Sequence, residues 1–279
     1  MKKIVICGKF RLLIGQRPLI MGVLNITPDS FSDGGRFLNP RTAVAHALRL
    51  EEEGADLIDL GGESTRPGAK LVPVKEEMSR VMPVVERLVG RLKIPISIDT
   101  YKSQIAAAAC QAGAALINDV TALRDPQMAQ VIARAKTAVI LMHMRGTPAT
   151  MQKRTGYRNL IATVRADLSR SIRSAKAAGI PGNKILIDPG IGFGKGLDEN
   201  LALIRNIGAF KSLGYPVVVG PSRKSFIGLL TGSSIEDRLF GTAAAVALAA
   251  AYGADILRVH DVAAMRQVAL VAAAIAGDN

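Results

Sequence analysis

Eight times along the chain, a short β-branched apolar run ends in polar residues with Gly or Pro close by, and a longer helical stretch follows. The runs are MGVLNIT (21–27), DLIDLGG (56–62), ISIDT (96–100), LINDVT (116–121), VILMHM (139–144), ILIDPG (185–190), PVVVGPS (216–222) and ILRVHDV (256–262). They are apolar on both faces rather than alternating, so each must be covered on two sides, as parallel strands of an α/β protein are. Eight such units without a break in composition predict a closed (β/α)8 TIM barrel, one domain over residues 1–279. A chain of 279 residues is long for one ordinary core but within the range of these barrels. Residues 1–20 precede the first run and are expected to form a hairpin capping the barrel's bottom.

The helical stretches agree. Asn39-Pro40 reads as an N-cap followed by proline at the first helical position, and Gly54 closes that helix. Met78, Val81, Met82, Val85, Leu88, Val89 and Leu92 recur at helical spacing, and Pro83 among them is expected to kink the helix or to start a second segment.

Composition excludes several classes. With 49% hydrophobic residues, the chain can offset the entropy of ordering, so it is not disordered. The longest apolar run, Ala243 to Ala251, is too short to span a bilayer. MKKIVICGKF imitates a signal peptide's basic start, but Gly8 and Lys9 end its apolar run, which leaves the cytoplasm as the expected location. Cys7 and Cys110 form no C-x-x-C and read as reduced thiols. Net charge is +13, which brings nucleic acid into question. The basic residues are scattered, however, and aromatic content is 4%, so the charge is assigned to solvated helix faces and a pocket for anions.

In a parallel barrel, function collects at the C-terminal ends of the strands. Asn25, Glu63, Asp99, Asn118, His143, Asp188, Lys224 and Arg258 with His260 all occupy such ends. Any one of them serves as readily as a helix cap, but eight independent caps are less plausible than one converging pocket. The loops TPDSFSDGGRFLN and ESTRPGAKLVP exceed ordinary connections and read as lids, with Phe31 exposed on the first. GIGFGKG fits neither phosphate-loop register, although its backbone can approach a ligand closely. His46 lies mid-helix and reads as a surface residue, and Ser222 reads as the N-cap of the helix SRKSFIGLL.

Taken in order, MGVLNITPDSFSDGG, GGESTRPGA, ISIDTYK, INDV, LMHMRGTPATMQ, ILIDPGIGFGK, GPSRKSF and LRVHDV resemble the signatures of the dihydropteroate synthase family, from about Met21 to Val262. Ile26 replaces the family's usual valine, a trivial departure. The resemblance implies a (β/α)8 barrel, generally a homodimer. It also implies condensation of 6-hydroxymethyl-7,8-dihydropterin pyrophosphate with 4-aminobenzoate to 7,8-dihydropteroate and pyrophosphate, with Mg²⁺. By the same resemblance, Asp188 accepts the pterin's paired N–H donors, Asn118 and Lys224 meet the same ring, Met142, Phe193 and Gly220 line its pocket, and Asp99 stabilises developing positive charge. Asn25, Arg258 and His260 match the pyrophosphate site, with Asn25 touching Mg²⁺. Ser222 and Lys224 suit the carboxylate of 4-aminobenzoate, while Phe31, Thr65, Arg66 and Pro67 match mobile loops that close over its ring. Asp33 helps to hold the closed arrangement and joins Asp99, Lys224 and Arg258 as a catalytic residue. Unaltered Phe31 and Pro67 imply a sulfonamide-sensitive enzyme.

The resulting path is SN1-like and needs no strong general base, because an arylamine is already a competent nucleophile. The nearest alternative is a pterin-dependent methyltransferase barrel, which shares the Asn/Asp pocket but needs no arylamine site. PDSFSDGG, STRPGA and SRKSF favour the synthase. A basic RNA-binding barrel, the alternative from another class, would show affinity that falls steeply with salt.

Overall fold

The computed structural model describes residues 3–27, 39–65, 68–69, 71–153 and 155–277. Strands β1 (Lys3–Cys7) and β2 (Phe10–Ile14) pair antiparallel, with Cys7 opposite Phe10 across a two-residue turn. The first central residue of such a turn needs positive φ, and Gly8 supplies it at +57°. Alternation along the hairpin buries Val5, Cys7, Leu12 and Ile14 on one face.

Eight parallel strands follow: β3 (Leu19–Asn25), β4 (Leu57–Gly61), β5 (Ile96–Asp99), β6 (Leu116–Asp119), β7 (Ala138–Met142), β8 (Ile185–Asp188), β9 (Val218–Val219) and β10 (Ile256–Val259). Their order is β8-β7-β6-β5-β4-β3-β10-β9, and an Ile187–Val217 bridge joins the two ends. The sheet is therefore a closed barrel, with every expected run contributing one strand. The buried face of the hairpin packs on Leu19, Met21, Leu57, Leu116, Ala138, Leu186, Val218 and Ile256, the residues that begin the barrel strands. It caps the bottom, as the sequence predicts.

Helices α1 (Pro40–Glu52), α2 (Val74–Leu88), α3 (Ser103–Ala112), α4 (Met128–Ala135) and α5 (Leu160–Ala177) cover the first half of the barrel. The second half carries α6 (Leu197–Arg205), α7 (Ile207–Lys211), α8 (Ser225–Thr231), α9 (Leu239–Ala251) and α10 (Val262–Ala276). Among the described residues no helix is long and apolar enough to cross a membrane. Asn39 caps α1 as expected, its side chain accepting from Arg41 N at 2.9 Å, and His46 of that helix is half-buried rather than a plain surface residue. Pro83 does not start a new segment: α2 runs through it, because Val81, Val84, Val85 and Leu88 are fully buried on both sides of the missing N–H.

The hairpin closes the end of the barrel opposite the strand ends. Leu12→Ala should therefore lower stability in urea unfolding by about 2–4 kcal/mol through the cavity it leaves. Ligand affinity should be unchanged, which calorimetry on the same variant can check.

Candidate active site

A carboxylate within a run that is covered on both faces cannot reach water, so it must be paired. Asp59, in the middle of β4, is such a group and is fully buried. It accepts from Ser97 Oγ at 2.6 Å, from Asn118 Nδ2 at 3.0 Å and from Arg258 Nε at 2.6 Å. Arg258 Nη2 also donates to Asp99 Oδ2 at 2.9 Å. One buried carboxylate thus orients side chains from β5, β6 and β10, and it sets the Asn118 amide so that Oδ1 points away from Asp59. Sequence reading overlooked Asp59, since it counted only residues at the strand ends; a lone acid inside DLIDLGG was the available signal.

Above this lattice the barrel mouth opens in two parts. A small inner pocket is bounded by Asp99, Met142, Asp188, Phe193, Gly220, Lys224 and Arg258. An outer chamber of about 340 Å³ shares Asp99, Phe193, Gly220, Lys224 and Arg258 and adds Asn25, Thr65, Ser222 and His260. Glu63, Ser225 and Arg238 also line it; sequence reading gave Ser225 and Arg238 no role. Asn118 stands beside these residues through its bond to Asp59. Phe31, Asp33, Arg66 and Pro67 lie outside the described residues.

Three sequence expectations change. Ser222 is not an N-cap, because α8 begins at Ser225 with Lys224 in the cap position and Arg223 in left-handed backbone at φ 56°. Its hydroxyl instead accepts from His260 N at 3.2 Å and meets His260 Nδ1 at 2.9 Å. A hydroxyl donating to Nδ1 leaves the proton of a neutral ring on Nε2. Glu63 lines the chamber, yet its carboxylate is committed to Lys102 Nζ at 2.6 Å and to Tyr101 OH at 3.0 Å. His143 turns away from the mouth, toward Lys195 and Asp167.

Burial dominates the electrostatics. Asp188 Oδ1 accepts from Gly190 N at 2.6 Å, but loss of water still pushes its carboxyl up to about 6, against the opposing charges of Lys224, Lys195 and Arg258. Burial drives Asp99 up to about 7 despite Arg258, and Asp99 Oδ1 has no hydrogen-bond partner among the described residues. The Lys224 ammonium sits 4.2 Å from the centre of the Phe193 ring, so one wall of the pocket is both aromatic and cationic. The site holds buried acceptors beside fixed cations, which suits a flat heterocycle with N–H donors and an anionic appendage.

Comparison with known proteins decides the family. Residues 21–260 match the model of the pterin binding enzymes. The chain belongs to the pterin-binding enzyme family. A dihydropteroate synthase of Synechocystis sp. is 47% identical over 263 residues, 94% of this chain and 91% of that protein. The Yersinia pestis dihydropteroate synthase, solved in a sulfonamide drug complex, superposes with a TM-score of 0.94 at 41% identity over 98% of each chain. That of Xanthomonas albilineans, solved with 4-aminobenzoic acid, gives 0.91 at 47% identity, covering 99% of this chain and 98% of that one.

For this pterin-binding barrel, Asp188 separates a binding role from a structural one. Its pKa is raised above the unfolded value, so the folded state holds the proton more tightly and stability from this group falls as pH rises from about 4 to about 6. Asp188→Asn removes the buried charge and should raise stability at pH 7, by on the order of 2 kcal/mol in thermal or urea unfolding. A cap would lose stability instead. The same variant should lose pterin binding in calorimetry.

Proposed function

We infer that this chain is a dihydropteroate synthase, a transferase that joins 6-hydroxymethyl-7,8-dihydropterin pyrophosphate to 4-aminobenzoate and releases pyrophosphate. The observation that carries the reading is the two-part mouth: a small pocket around Asp188 and Lys224, opening past Arg258 into a larger chamber. Asp188 accepts the ring's paired N–H donors, Asn118 presents its amide oxygen, and Lys224 donates to the ring's carbonyl and nitrogen. Met142 and Phe193 form the apolar walls and Gly220 leaves room at the pocket's edge.

The leaving group then extends into the chamber. Arg258 spends Nε on Asp59 and Nη2 on Asp99, and among the described residues Nη1 has no hydrogen bond, so it can donate to pyrophosphate. His260, held through Nδ1 by Ser222, lines the same chamber beside it. Departure of pyrophosphate leaves a cation delocalised into the dihydropterin. Asp99 lies beside it, and its ionised form gains as that charge develops. The arylamine nitrogen attacks the cation and loses its proton, so no general base is required.

Asn25 and the unpartnered oxygen of Asp99 fit a magnesium ion carried on the pyrophosphate. Mg²⁺ keeps several waters and takes few protein ligands, and among the described residues no cluster of three or more His, Cys, Asp or Glu suits a full protein cage. When bound, the ion neutralises charge on the departing pyrophosphate.

For 4-aminobenzoate, Thr65 borders the chamber and Ser222 acts through His260 rather than as a helix cap. Ser225 and Arg238 supply donors for the carboxylate. Phe31, Asp33, Arg66 and Pro67 complete the site as loops that close over the ring, expelling water that would trap the cation. Sulfonamides, which copy the amine, ring and acidic group, compete in this chamber. The enzyme works in the cytoplasm as a homodimer in this reading; Leu229, Phe240 and Ile275 on α8, α9 and α10, 70%, 85% and 82% exposed, give a second copy an apolar face.

Ordered assembly tests the reading. Titrating 4-aminobenzoate into the protein alone should give no measurable heat. With dihydropterin, pyrophosphate and Mg²⁺ present, saturable binding should appear. Equal affinity in both titrations means a preformed arylamine site and removes the lid from the mechanism.

A further inference from the structure

One cation behind the inner pocket has no part in the reaction above. Lys195, from GIGFGKG, is only 2% exposed. Its Nζ lies 2.9 Å from Phe193 O, 3.3 Å from His143 O and 3.0 Å from His143 Nδ1. Three acceptors use all three N–H donors of an ammonium and leave none for substrate. His143 accepts at Nδ1 only while its ring proton is on Nε2, which meets Asp167 Oδ2 at 3.3 Å. Burial and the neighbouring lysine hold the ring down to about 3, so it remains a neutral acceptor across the working pH range.

The loop clamped by these bonds is the one that shapes the pterin pocket. Gly190, at φ +75°, presents its N–H to Asp188, and a Cβ there would lie 1.9 Å from His143 O. The loop thus rests directly on the carbonyl that Lys195 also holds, and three residues later it delivers the Phe193 wall.

We propose that Lys195 is a positioning residue for pterin recognition: its ammonium, held by His143 and two carbonyls, fixes the loop around Asp188 and supplies charge that keeps Asp188 a carboxylate. This rests on the reading of Asp188 as the pterin's acceptor. The charged groups facing Asp188 are Lys224, Lys195 and Arg258; those facing Lys195 are Asp188, Arg145 and Lys224; those facing His143 are Lys195, Asp167 and Arg145. Burial pulls Lys195 down to about 7 while Asp188 pulls it up, and Asp188 titrates near 6, so both are charged where recognition begins to fail.

The test is calorimetric affinity for 6-hydroxymethyl-7,8-dihydropterin from pH 5 to 8. Binding by the parent should fade with a midpoint near 6 as Asp188 takes up its proton. Lys195→Gln removes the charge but keeps two donors for the loop carbonyls, so it guards against the poorer folding of Lys195→Met. Either variant should move the midpoint up by about one pH unit, and Lys195→Arg should restore it. An unmoved midpoint, or an equal loss of affinity at every pH, overturns the proposal and leaves Lys195 a plain loop support. Asp188→Asn in the same series should lose affinity at every pH. If it binds like the parent, the reading of Asp188 fails, whatever Lys195 does.

Discussion

The buried contact between Asp59 and Arg258 organises the mouth of this barrel. Asp59 is fully buried, and Arg258, two strands away on β10, reaches it at 2.6 Å while its other arm holds Asp99 at 2.9 Å. Removing one member of such a pair typically costs about 3–5 kcal/mol, because the other charge is left uncompensated in a dry interior. Arg258 is thus held by stability before it does any chemistry. Asn118 and Asp99 inherit their orientations from the same lattice, the first through Asp59 and the second through Arg258. The inner pocket and the outer chamber share one foundation.

Electrostatic tension runs through the rest of the site. Asp99 and Asp188 are both pushed well above the usual carboxylate range by burial, and cations on neighbouring strands and loops partly oppose this. A binding site of this kind sacrifices stability for function: its acceptors are poorly solvated until a ligand with matching donors arrives. The Lys195 ammonium reduces the penalty at Asp188 without entering the hydrogen-bond surface offered to a ligand, because its donors are spent on His143 and two carbonyls.

Much of this was legible in the sequence, because the barrel imposes a regular pattern. Eight two-face apolar runs required parallel strands covered by helices, and polar residues at their ends required a common mouth. Asp188, Lys224, Arg258, Asp99, Met142 and Phe193 all meet there. What escaped detection was set by packing rather than by period. Asp59 lies inside a strand and acts through partners up to 199 residues away in sequence. Lys195 sits in a glycine-rich segment whose apparent meaning was backbone approach, whereas its side chain folds back under the loop. Ser222 precedes a helix but is drawn to His260, and Pro83 is carried through α2 by the buried residues around it. His143 directly follows β7, much as Asp188 ends β8, yet Lys195 and Asp167 turn it out of the pocket.

The most direct test of this account is a single assay of 7,8-dihydropteroate formation by the parent and by Asp59→Asn, with circular dichroism to confirm the fold of each. The parent should form 7,8-dihydropteroate with equimolar pyrophosphate when both substrates are supplied. Asp59→Asn should keep the barrel but lose about 100-fold in turnover, as expected when a pre-oriented charged donor is released. A parent that forms no product, or an Asp59→Asn protein that turns over as fast as the parent, would contradict it.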